Sequence, residues 1–468
     1  MNTKLQALLF VAILITTGCI SAPPYEGPPE TALNHEWTLQ DDATEQTIDF
    51  ASEQSLEHWW EAYDDAALTR LVEEGLSHNQ DVRYAVLRIE EAQAILSGAQ
   101  SGLWPVANLE GSMTRSRTSE STTYMNDIYR TVNNVGVGAA WEIDLFKRIR
   151  HHIAAEQARF EMLQEDAHAV ALSTTGEIAR SYFSLRSAQN ELSAQQNIIT
   201  SLENLRGIVA RRVQSGDLPE ADIQVIDARL VSARASIPEI DARIRIYALA
   251  LSLLTGGLPE KELELTNNAE PQLSFPAIPV GARADILRRR PDIRSAERQL
   301  AASYADTAAA VAEQFPQLTI NAMGGFEALS SGSLVQAANR TWSIFPFISW
   351  RILDGGRIRA DIHTAEARQK MAALAYEQAV LTALNEAETS MNNYYYQNRS
   401  LQHWQNAAAA TQQVLHSQQR RFNAGDVAMA DVLEAQQQFA EAQYSLAITQ
   451  GNTANALVDV IKALGGGM

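Results

Sequence analysis

The chain has 468 residues, 46% of them hydrophobic, and a formal net charge of −19 at pH 7. This acidic balance argues against nucleic acid as a partner, because binding to phosphates requires a basic surface. Aromatic residues are sparse, whereas Ala, Gln and Glu are abundant, which favours helices. The length is sufficient for one large domain or for several ordinary ones.

The N-terminus has the features of a targeting segment. An apolar run at residues 5–15 follows a lysine and is too short to span a bilayer. Small residues and Cys19, the only cysteine, come next and resemble a bacterial lipobox, although Leu is usual where Thr16 stands. We predict cleavage of residues 1–18 and lipidation of Cys19; a buried free thiol is the alternative. Ile20 stands where Asp would favour inner-membrane retention, so the outer membrane is the expected destination.

The mature chain repeats itself once. Residues 211–218 and 420–427 have related sequences with the same Arg-Arg start and central Gly-Asp, at an offset of 209 residues. Trp141 and Trp350 begin a second match at this offset. Such internal similarity predicts two halves of similar structure. We divide the chain into a signal peptide at 1–18, a Pro-rich lipidated leader at 19–58, a first repeat at 59–255, an inter-repeat linker at 256–283 and a second repeat at 284–468.

Each repeat is predicted to begin with one helix, at about 64–101 and 284–313, and then to contain a strand pair and two long helices. Neither Gly nor Pro occurs between Gly356 and Gly425. A helix of about 65 residues is roughly 100 Å long, whereas an average globular helix has about 11–12 residues. The sequence therefore indicates a pair of very long helical rods.

The last helix of each repeat shows a heptad seam. Apolar or small residues recur in steps of three and four, which is typical of a coiled coil. The positions are Ile223, Ile226, Leu230, Ala233, Ile237, Ile240, Ile244, Tyr247, Leu251 and Leu254, and, 209 residues later, Val432, Ala435, Phe439, Ala442, Leu446, Thr449, Thr453, Ala456, Val460 and Ala463. An ordinary helix hairpin would give the same local pattern. Pro238 is expected to kink the first of these helices.

Four segments alternate between apolar and polar residues, which is the signature of membrane β-strands. They lie at 106–116, 130–143, 318–327 and 341–352. In the fourth, Pro346 predicts a bulge or a break. The mature chain has no apolar run near 18 residues, so any membrane crossing would use these strands. About eight strands are the minimum for a barrel, so the chain must oligomerise if these strands enter a membrane. Two copies would give eight strands with an interior filled by side chains, and three copies would give twelve strands and room for a pore.

Several motifs resemble one known family, the TolC-like outer-membrane efflux channels, in the lipoprotein branch that serves resistance-nodulation-division pumps. The motifs are Trp59-Trp60, Asn79-Gln80-Asp81-Val82, Trp141 to Phe146, residues 284–297, Phe315-Pro316 and Leu353 to Arg357. The most specific is 284–297, with Arg-Arg-Arg-Pro-Asp at its centre. Lys147 departs from the family, because Gly is usual there.

The resemblance implies a mainly α fold with a membrane β-barrel. It implies a homotrimer with a 12-stranded barrel, a periplasmic α-helical tunnel and a small mixed equatorial domain. The implied partners are a periplasmic adaptor, an inner-membrane pump and outer-membrane lipid, and no cofactor is implied. The implied function is efflux of drugs or other toxic small molecules.

Candidate functional residues lie in the two helix-hairpin turns, where the resemblance implies adaptor contact or gating. They are Arg211, Gly216, Asp217, Leu218, Arg420, Arg421, Gly425, Asp426, Val427 and Asp431. One hypothesis is that Arg420 or Arg421 pairs with an Asp near the tip and holds the tunnel shut. Three copies of Asp426 or Asp431 near a threefold axis would favour cations. The alternative is that these residues only cap helices and form surface ion pairs.

Other functions fit the sequence less well. His151 and His152 are about 100° apart on a predicted helix and therefore do not converge on one metal. The sequence has no His-x-x-x-His pair, phosphate-binding Gly loop or nucleophile elbow, so we predict that the chain is not an enzyme. A protein-secretion duct and a periplasmic coiled-coil scaffold remain as alternatives.

Overall fold

A computed structural model provides the fold. It describes residues 25–28, 37, 48–49, 58–119, 128–267, 275–276, 278–279 and 286–466. The predicted signal peptide, including Thr16, and Cys19 lie outside these residues. The chain forms two compact units, and each unit combines segments of both predicted repeats. The first unit contains Ile89–Leu163 and Ser295–Tyr376, and the second contains Thr31–Arg88, Gln164–Arg294 and Glu377–Met468.

Helices dominate both repeats. They are α1 (Ala66–His78), α2 (Gln80–Ser101), α3 (Arg148–Gln214), α4 (Ala221–Ala235), α5 (Ile237–Leu254), α6 (Ile286–Arg289), α7 (Pro291–Ala312), α8 (Arg357–Ala424) and α9 (Met429–Ala463). The prediction of two very long helices is confirmed, because α3 has 67 residues and α8 has 68. Among the described helices, none combines the length and the apolar character that a bilayer crossing requires.

The prediction of one continuous helix at 64–101 is wrong, because Asn79 separates α1 from α2. Its side-chain Oδ1 accepts the backbone N–H of Asp81 at 2.8 Å and of Val82 at 3.2 Å, and so caps α2. Its Nδ2 donates to the backbone carbonyl of Leu254 at 2.9 Å. Asn79 therefore ties the beginning of the first repeat to the end of its last helix.

A matching break at Arg290 corrects the single helix predicted at 284–313. The Arg290 Nη1 donates to the backbone carbonyl of Ala463 at 2.9 Å, and its Nη2 contacts the carboxylates of Asp292 at 2.6 Å and Glu386 at 2.7 Å. Because Arg290 stands 211 residues after Asn79, and Ala463 stands 209 after Leu254, the same connection closes both repeats. Pro291, the first residue of α7, was the local signal for this break.

The predicted heptad seams are confirmed. Every seam position is buried or half-buried, and Ile226, Leu251, Val432 and Val460 are completely buried. The predicted kink at Pro238 is also confirmed, since α4 ends at Ala235 and α5 carries this proline in its first turn.

One antiparallel sheet contains the four predicted strands, β2 (Val106–Arg117), β3 (Tyr129–Ile143), β5 (Gln317–Ala328) and β6 (Arg340–Ser349), in the order β2-β3-β5-β6. Separately, β1 (Ile48–Asp49) and β4 (Ile278–Pro279) form a short parallel pair. The first three predicted strands are correct to within one residue. The fourth begins one residue before its predicted start and ends at Ser349, three residues before its predicted end.

The predicted bulge or break at Pro346 is wrong. The β5–β6 register runs without interruption from Gln317 opposite Ser349 to Phe326 opposite Arg340, with Pro346 opposite Ile320. Because β6 is at the edge of this sheet, a residue without an N–H is tolerated there.

The strand register brings the predicted apolar positions of all four strands onto one side of the sheet. Across this apolar face, Leu109 pairs with Val137 in one row, and Ala139, Ala322 and Ile344 follow one another in the next. The opposite face, which we call the polar face, contains the row Asn108, Gly138, Met323 and Ser343, and it also carries Phe345 and Phe347 of β6. Leu109 is 78% exposed and Ile344 is 67% exposed, so the apolar face is uncovered in the single chain.

Two tryptophans anchor the sheet to its neighbouring helices in the same way. The Nε1 of Trp141 donates to the carbonyl of Leu103, and that of Trp350 donates to the carbonyl of Gln314, both at 2.9 Å. Trp141 and Trp350 are counterparts in the duplication, so both repeats attach their strand pair with one contact.

The turns that lead into α3 and α8 both require left-handed backbone. Lys147 has a φ of 60°, and its counterpart 209 residues later, Gly356, has a φ of 90°. A side chain with a Cβ is strained in this region, whereas Gly is not. The departure of Lys147 from the family pattern therefore strains the first repeat.

We expect Lys147→Gly to raise the free energy of unfolding by ~1 kcal/mol, because it removes this strain. Gly356→Lys should lower it by a similar amount. Thermal unfolding of the detergent-purified protein, followed by circular dichroism, would measure both changes. Lys147→Ala is the control, since Ala keeps the Cβ; equal stability of the Gly and Ala variants would contradict the prediction.

Candidate functional site

The two long helices end in equivalent turns. Gly216 and Gly425 have φ values of 82° and 86°. The backbone N–H of Asp217 donates to the carbonyl of Arg212 at 2.8 Å, and that of Asp426 donates to Arg421 at 2.9 Å. This is the glycine-dependent helix end that the sequence predicts. We call residues 215–220 the first tip and residues 425–428 the second tip.

Several of the predicted tip carboxylates have local structural roles. The Oδ2 of Asp431 accepts the backbone N–H of Ala428 at 2.9 Å, at the beginning of α9. The Oδ2 of Asp217 accepts the Ser215 hydroxyl at 2.8 Å. A carboxylate in the first helical turn interacts favourably with the helix dipole, and Asp222 has this position in α4.

The predicted arginines do not form, within the described part of one chain, the ion pairs that would hold the tunnel shut. Arg211, Arg420 and Arg421 are exposed. None of the three makes an ion pair with another described residue of the same chain. The hypothesis that Arg420 or Arg421 closes the tunnel by pairing with an Asp therefore stays a prediction about contacts between subunits.

The first hairpin consists of α3 with α4 and α5, and the second hairpin consists of α8 with α9. Arg212, which is not among the predicted residues, bridges these two hairpins. Its Nη2 donates to the backbone carbonyls of Phe422 at 2.8 Å and Asn423 at 2.9 Å, at the end of α8. Its guanidinium carbon lies 4.5 Å from the centroid of the Phe422 ring. This combines charged hydrogen bonds to helix-terminal carbonyls with a cation–π contact. The sequence contains one indication of this role: the spacing places Arg212 on the same face of α3 as the buried Leu205 and Val209.

A shared apolar core lies beneath this bridge. Its buried members come from both hairpins: Ile198, Leu202, Leu205, Val209, Ile226, Leu230, Leu415, Phe422, Met429, Val432, Leu433 and Ala435. The predicted Leu218 and Val427 are half-buried and pack against it. The two hairpins of one chain are therefore fixed to each other near their tips.

A cleft of about 660 Å³ opens between the two tips. It brings together four predicted residues, Asp217, Leu218, Gly425 and Val427, with Arg212 and other residues that were not predicted. Gly216, Arg211, Arg420, Arg421, Asp426 and Asp431 do not line it. Its lining combines apolar residues such as Leu218 and Leu433 with the charged Arg212, Asp217 and Asp222, a mixture that suits the docking of another polypeptide.

A second cleft, of about 560 Å³, has a charged lining. Arg180 pairs with Asp459, and Arg290 pairs with Glu386. Burial, and then the nearby Arg180, lowers the pKa of Lys462. Cations and carboxylates are thus paired with each other in this cleft. Among the residues that the structure describes, no three His, Cys, Asp or Glu side chains form a group that could hold a metal ion.

Comparison with known proteins gives the same assignment as the geometry. The outer membrane efflux protein family matches residues 71–257 and 283–466. The chain is 28% identical to nodulation protein T of Rhizobium leguminosarum bv. trifolii, over 96% of this chain and 93% of that protein. It is 27% identical to the solvent efflux pump outer membrane protein SrpC of Pseudomonas putida, over 99% and 98% of the two chains.

Solved structures share the fold over nearly the whole chain. The outer-membrane channel OprN has a TM-score of 0.85 at 29% identity, with 96% of this chain and 99% of that chain covered. The open state of the Neisseria gonorrhoeae MtrE outer membrane channel has a TM-score of 0.84 at 25% identity, with 96% and 98% covered.

The members of this family are efflux channels and not enzymes, which confirms the prediction of function class. The predicted mainly helical fold with two repeats and four strands is also confirmed, whereas closure of a trimeric 12-stranded barrel stays a prediction. With two long helix hairpins and a four-stranded sheet arranged as in these channels, the chain belongs to the outer membrane efflux protein family and is the outer-membrane channel component of a tripartite efflux system.

Proposed function

We propose that three copies of the chain form a lipid-anchored conduit through the outer membrane. Three four-stranded sheets close into a 12-stranded barrel, and the long helices form a periplasmic tunnel. The observation that carries this proposal is the uncovered apolar face, which extends across all four strands in one continuous register. Apolar side chains on the outside and polar side chains on the inside are the pattern of a membrane barrel.

The edges of the sheet support oligomerisation. In the described part of the chain, β2 and β6 each pair on one side only. Unpaired backbone groups cost several kcal/mol each in the hydrocarbon layer, so these edges require partners there. The free edge of β6 pairs with β2 of the next copy in the proposed ring, and three copies leave room for a pore.

A periplasmic adaptor and an inner-membrane resistance-nodulation-division pump are the proposed partners. The adaptor docks at the cleft between the first and second tips, where Arg212, Asp217 and Leu218 meet Gly425 and Val427. Arg211 and Arg420 are exposed near the C-terminal ends of α3 and α8 and provide positive charge there. The proposed cargo is drugs or other toxic small molecules, and we assign the choice among them to the pump.

Lipidation of Cys19 provides a second attachment to the membrane in this proposal. Each buried methylene of an acyl chain contributes ~0.8 kcal/mol to membrane binding. The mature chain, residues 19–468, would thus be held in the outer membrane by acyl chains and by the barrel.

Adjacent residues of β6 test which face contacts lipid. Ile344 belongs to the apolar face, and Ser343 belongs to the polar face. We expect Ile344→Arg to destabilise the inserted barrel by about 2–4 kcal/mol, because it places a charge in the hydrocarbon layer. Ser343→Arg should insert normally, since its side chain would face the aqueous interior. Recovery of trimers from purified outer membranes measures both; equal recovery would contradict the assignment of faces.

The conduit itself is tested with the full-length chain in a Gram-negative host. We expect trimers in the outer-membrane fraction and discrete conductance steps in planar bilayers. We also expect a host without the gene to show lower efflux-dependent resistance than the same host with the gene. Cys19→Ser should abolish fatty-acid labelling while trimers still form. A mature chain that remained a monomer in the aqueous fraction, without conductance, would refute the proposal.

A further inference from the structure

The polar face of the four-stranded sheet carries three exposed apolar side chains close together. Phe345 and Phe347 of β6 are 49% and 54% exposed, and Met323 of β5 is 45% exposed. The two phenylalanines are two residues apart on the same face, which separates them by roughly 7 Å along the strand. Met323 lies diagonally across from Phe345, because Phe345 pairs with Asn321, two residues before Met323. We call Met323, Phe345 and Phe347 the aromatic patch.

The fold does not require aromatic rings at these two positions of β6. The counterparts of Phe345 and Phe347 in the first repeat, 209 residues earlier, are Gly136 and Gly138. In the proposed barrel, the polar face lines the pore, so the rings of the aromatic patch stay in contact with water unless a molecule in the pore covers them. Because removal of apolar surface from water is favourable, the aromatic patch is suited to retain cargo that has an apolar part.

The charges on the polar face favour a cation. The Nη2 of Arg148 donates to the Oε2 of Glu142 at 2.8 Å, and Arg130 lies 3.9 Å from the carboxylate of Glu327. Glu110, the other glutamate on this face, is exposed and makes no ion pair with another residue that the structure describes. Its carboxylate is therefore available to a cation in the pore. The faces of aromatic rings also attract cations.

The duplication predicts which residues meet where β6 of one subunit pairs with β2 of the next. β5 is the counterpart of β2 at an offset of 211 residues, and β6 is the counterpart of β3 at an offset of 209 residues. The β2–β3 and β5–β6 registers are related by these same two offsets. Between β3 and β5, Gly138 pairs with Met323. The equivalent pairing between subunits sets Phe347 opposite the partner subunit's Ser112.

We propose that the aromatic patch of one subunit and the partner subunit's Glu110 form a site in the pore for amphiphilic organic cations, and that the barrel has three such sites. This inference rests on the proposed trimer, and it adds a preference of the conduit itself to the choice that we assign to the pump. The partner subunit's Glu110 is two residues from the partner subunit's Ser112, so it lies about 7–8 Å diagonally across from Phe347. An aromatic body can thus cover the rings while its nitrogen lies beside the carboxylate.

The strength of these contacts suits cargo in transit. A conduit requires binding that is favourable enough for entry and weak enough for release. Exposed ion pairs and exposed cation–π contacts are individually weak. They require only a ring and a positive charge, so many organic cations fit the site. An aromatic anion of the same size is repelled by the carboxylate, and the site therefore selects by the sign of the charge.

Block of single-channel current tests the aromatic patch. Benzyltrimethylammonium is added to trimers of the full-length chain in planar bilayers, on the side where the barrel opens. The double variant Phe345→Ser with Phe347→Ser should raise the half-blocking concentration about tenfold, which corresponds to ~1.4 kcal/mol. Phe326→Ser is the control, because it removes a ring from the apolar face, and it should leave the half-blocking concentration unchanged.

The same measurement tests the carboxylate. Glu110→Gln should raise the half-blocking concentration of benzyltrimethylammonium about threefold, since it removes an exposed charge and keeps the size of the side chain. Glu327→Gln removes the same charge from the same face and should have no effect. Benzenesulfonate, an aromatic anion, should block the unmodified trimer only at about tenfold higher concentration. Equal effects of the two glutamate variants, or equal block by the cation and the anion, would overturn the role of Glu110.

Disulfide formation tests the pairing between subunits. Phe347→Cys with Ser112→Cys should give disulfide-linked trimers on a denaturing gel, because directly opposite residues have Cβ atoms about 4.5–5.5 Å apart. Phe347→Cys with Gly111→Cys is the matched control, since the side chain of residue 111 lies on the other face of the sheet. Equal crosslinking of the two pairs would refute a site that is shared by two subunits.

The conductance of the unmodified protein separates this site from the conduit. If trimers conduct but the double phenylalanine variant is blocked as strongly as the unmodified protein, the inferred site is wrong and the conduit remains. If the unmodified protein forms no conducting trimer, the conduit and the site fail together.

Discussion

The two edges of the four-stranded sheet, β2 and β6, are the constraint on which the proposed assembly depends. Each edge presents backbone N–H and C=O groups, and the apolar face between them makes the sheet suited to lipid, where such groups cannot bind water. The outer edges of β2 and β6 thus have backbone groups that require hydrogen-bond partners, and both strands belong to a sheet with an exposed apolar face. A ring of identical chains satisfies both edges at once, since the last strand of one sheet can pair with the first strand of the next.

The two repeats make equivalent structural contacts with different side chains at equivalent positions. Asn79 and Arg290 both donate to the carbonyl at the end of their own repeat, one with an amide and the other with a guanidinium. Gly356 and Lys147 occupy the same left-handed position, one without strain and the other with it. The required backbone path is thus retained while the chemistry that supports it changes.

Periodic features could be predicted from the sequence, and features set by single long-range contacts could not. The seams, the long helices and the alternating strands are repeated patterns, so one exceptional residue does not hide them. The edge position of Pro346 depends on which strand pairs with which. The choice of Arg212 over Arg211 depends on Phe422, 210 residues away. The sequence located the tip turns but not the side chain that joins them.

The packing within one chain resists separation to different degrees along the hairpins and near their tips. Each hairpin has a continuous apolar seam, so separation inside a hairpin would expose buried residues along its length. Separation near a tip breaks a few hydrogen bonds and exposes less apolar surface. Within one chain, the shared core and the Phe422 ring oppose such separation. Val213, the counterpart of Phe422 in the first repeat, has no aromatic ring, so the cation–π contact that supports this packing belongs to one of the two repeats only.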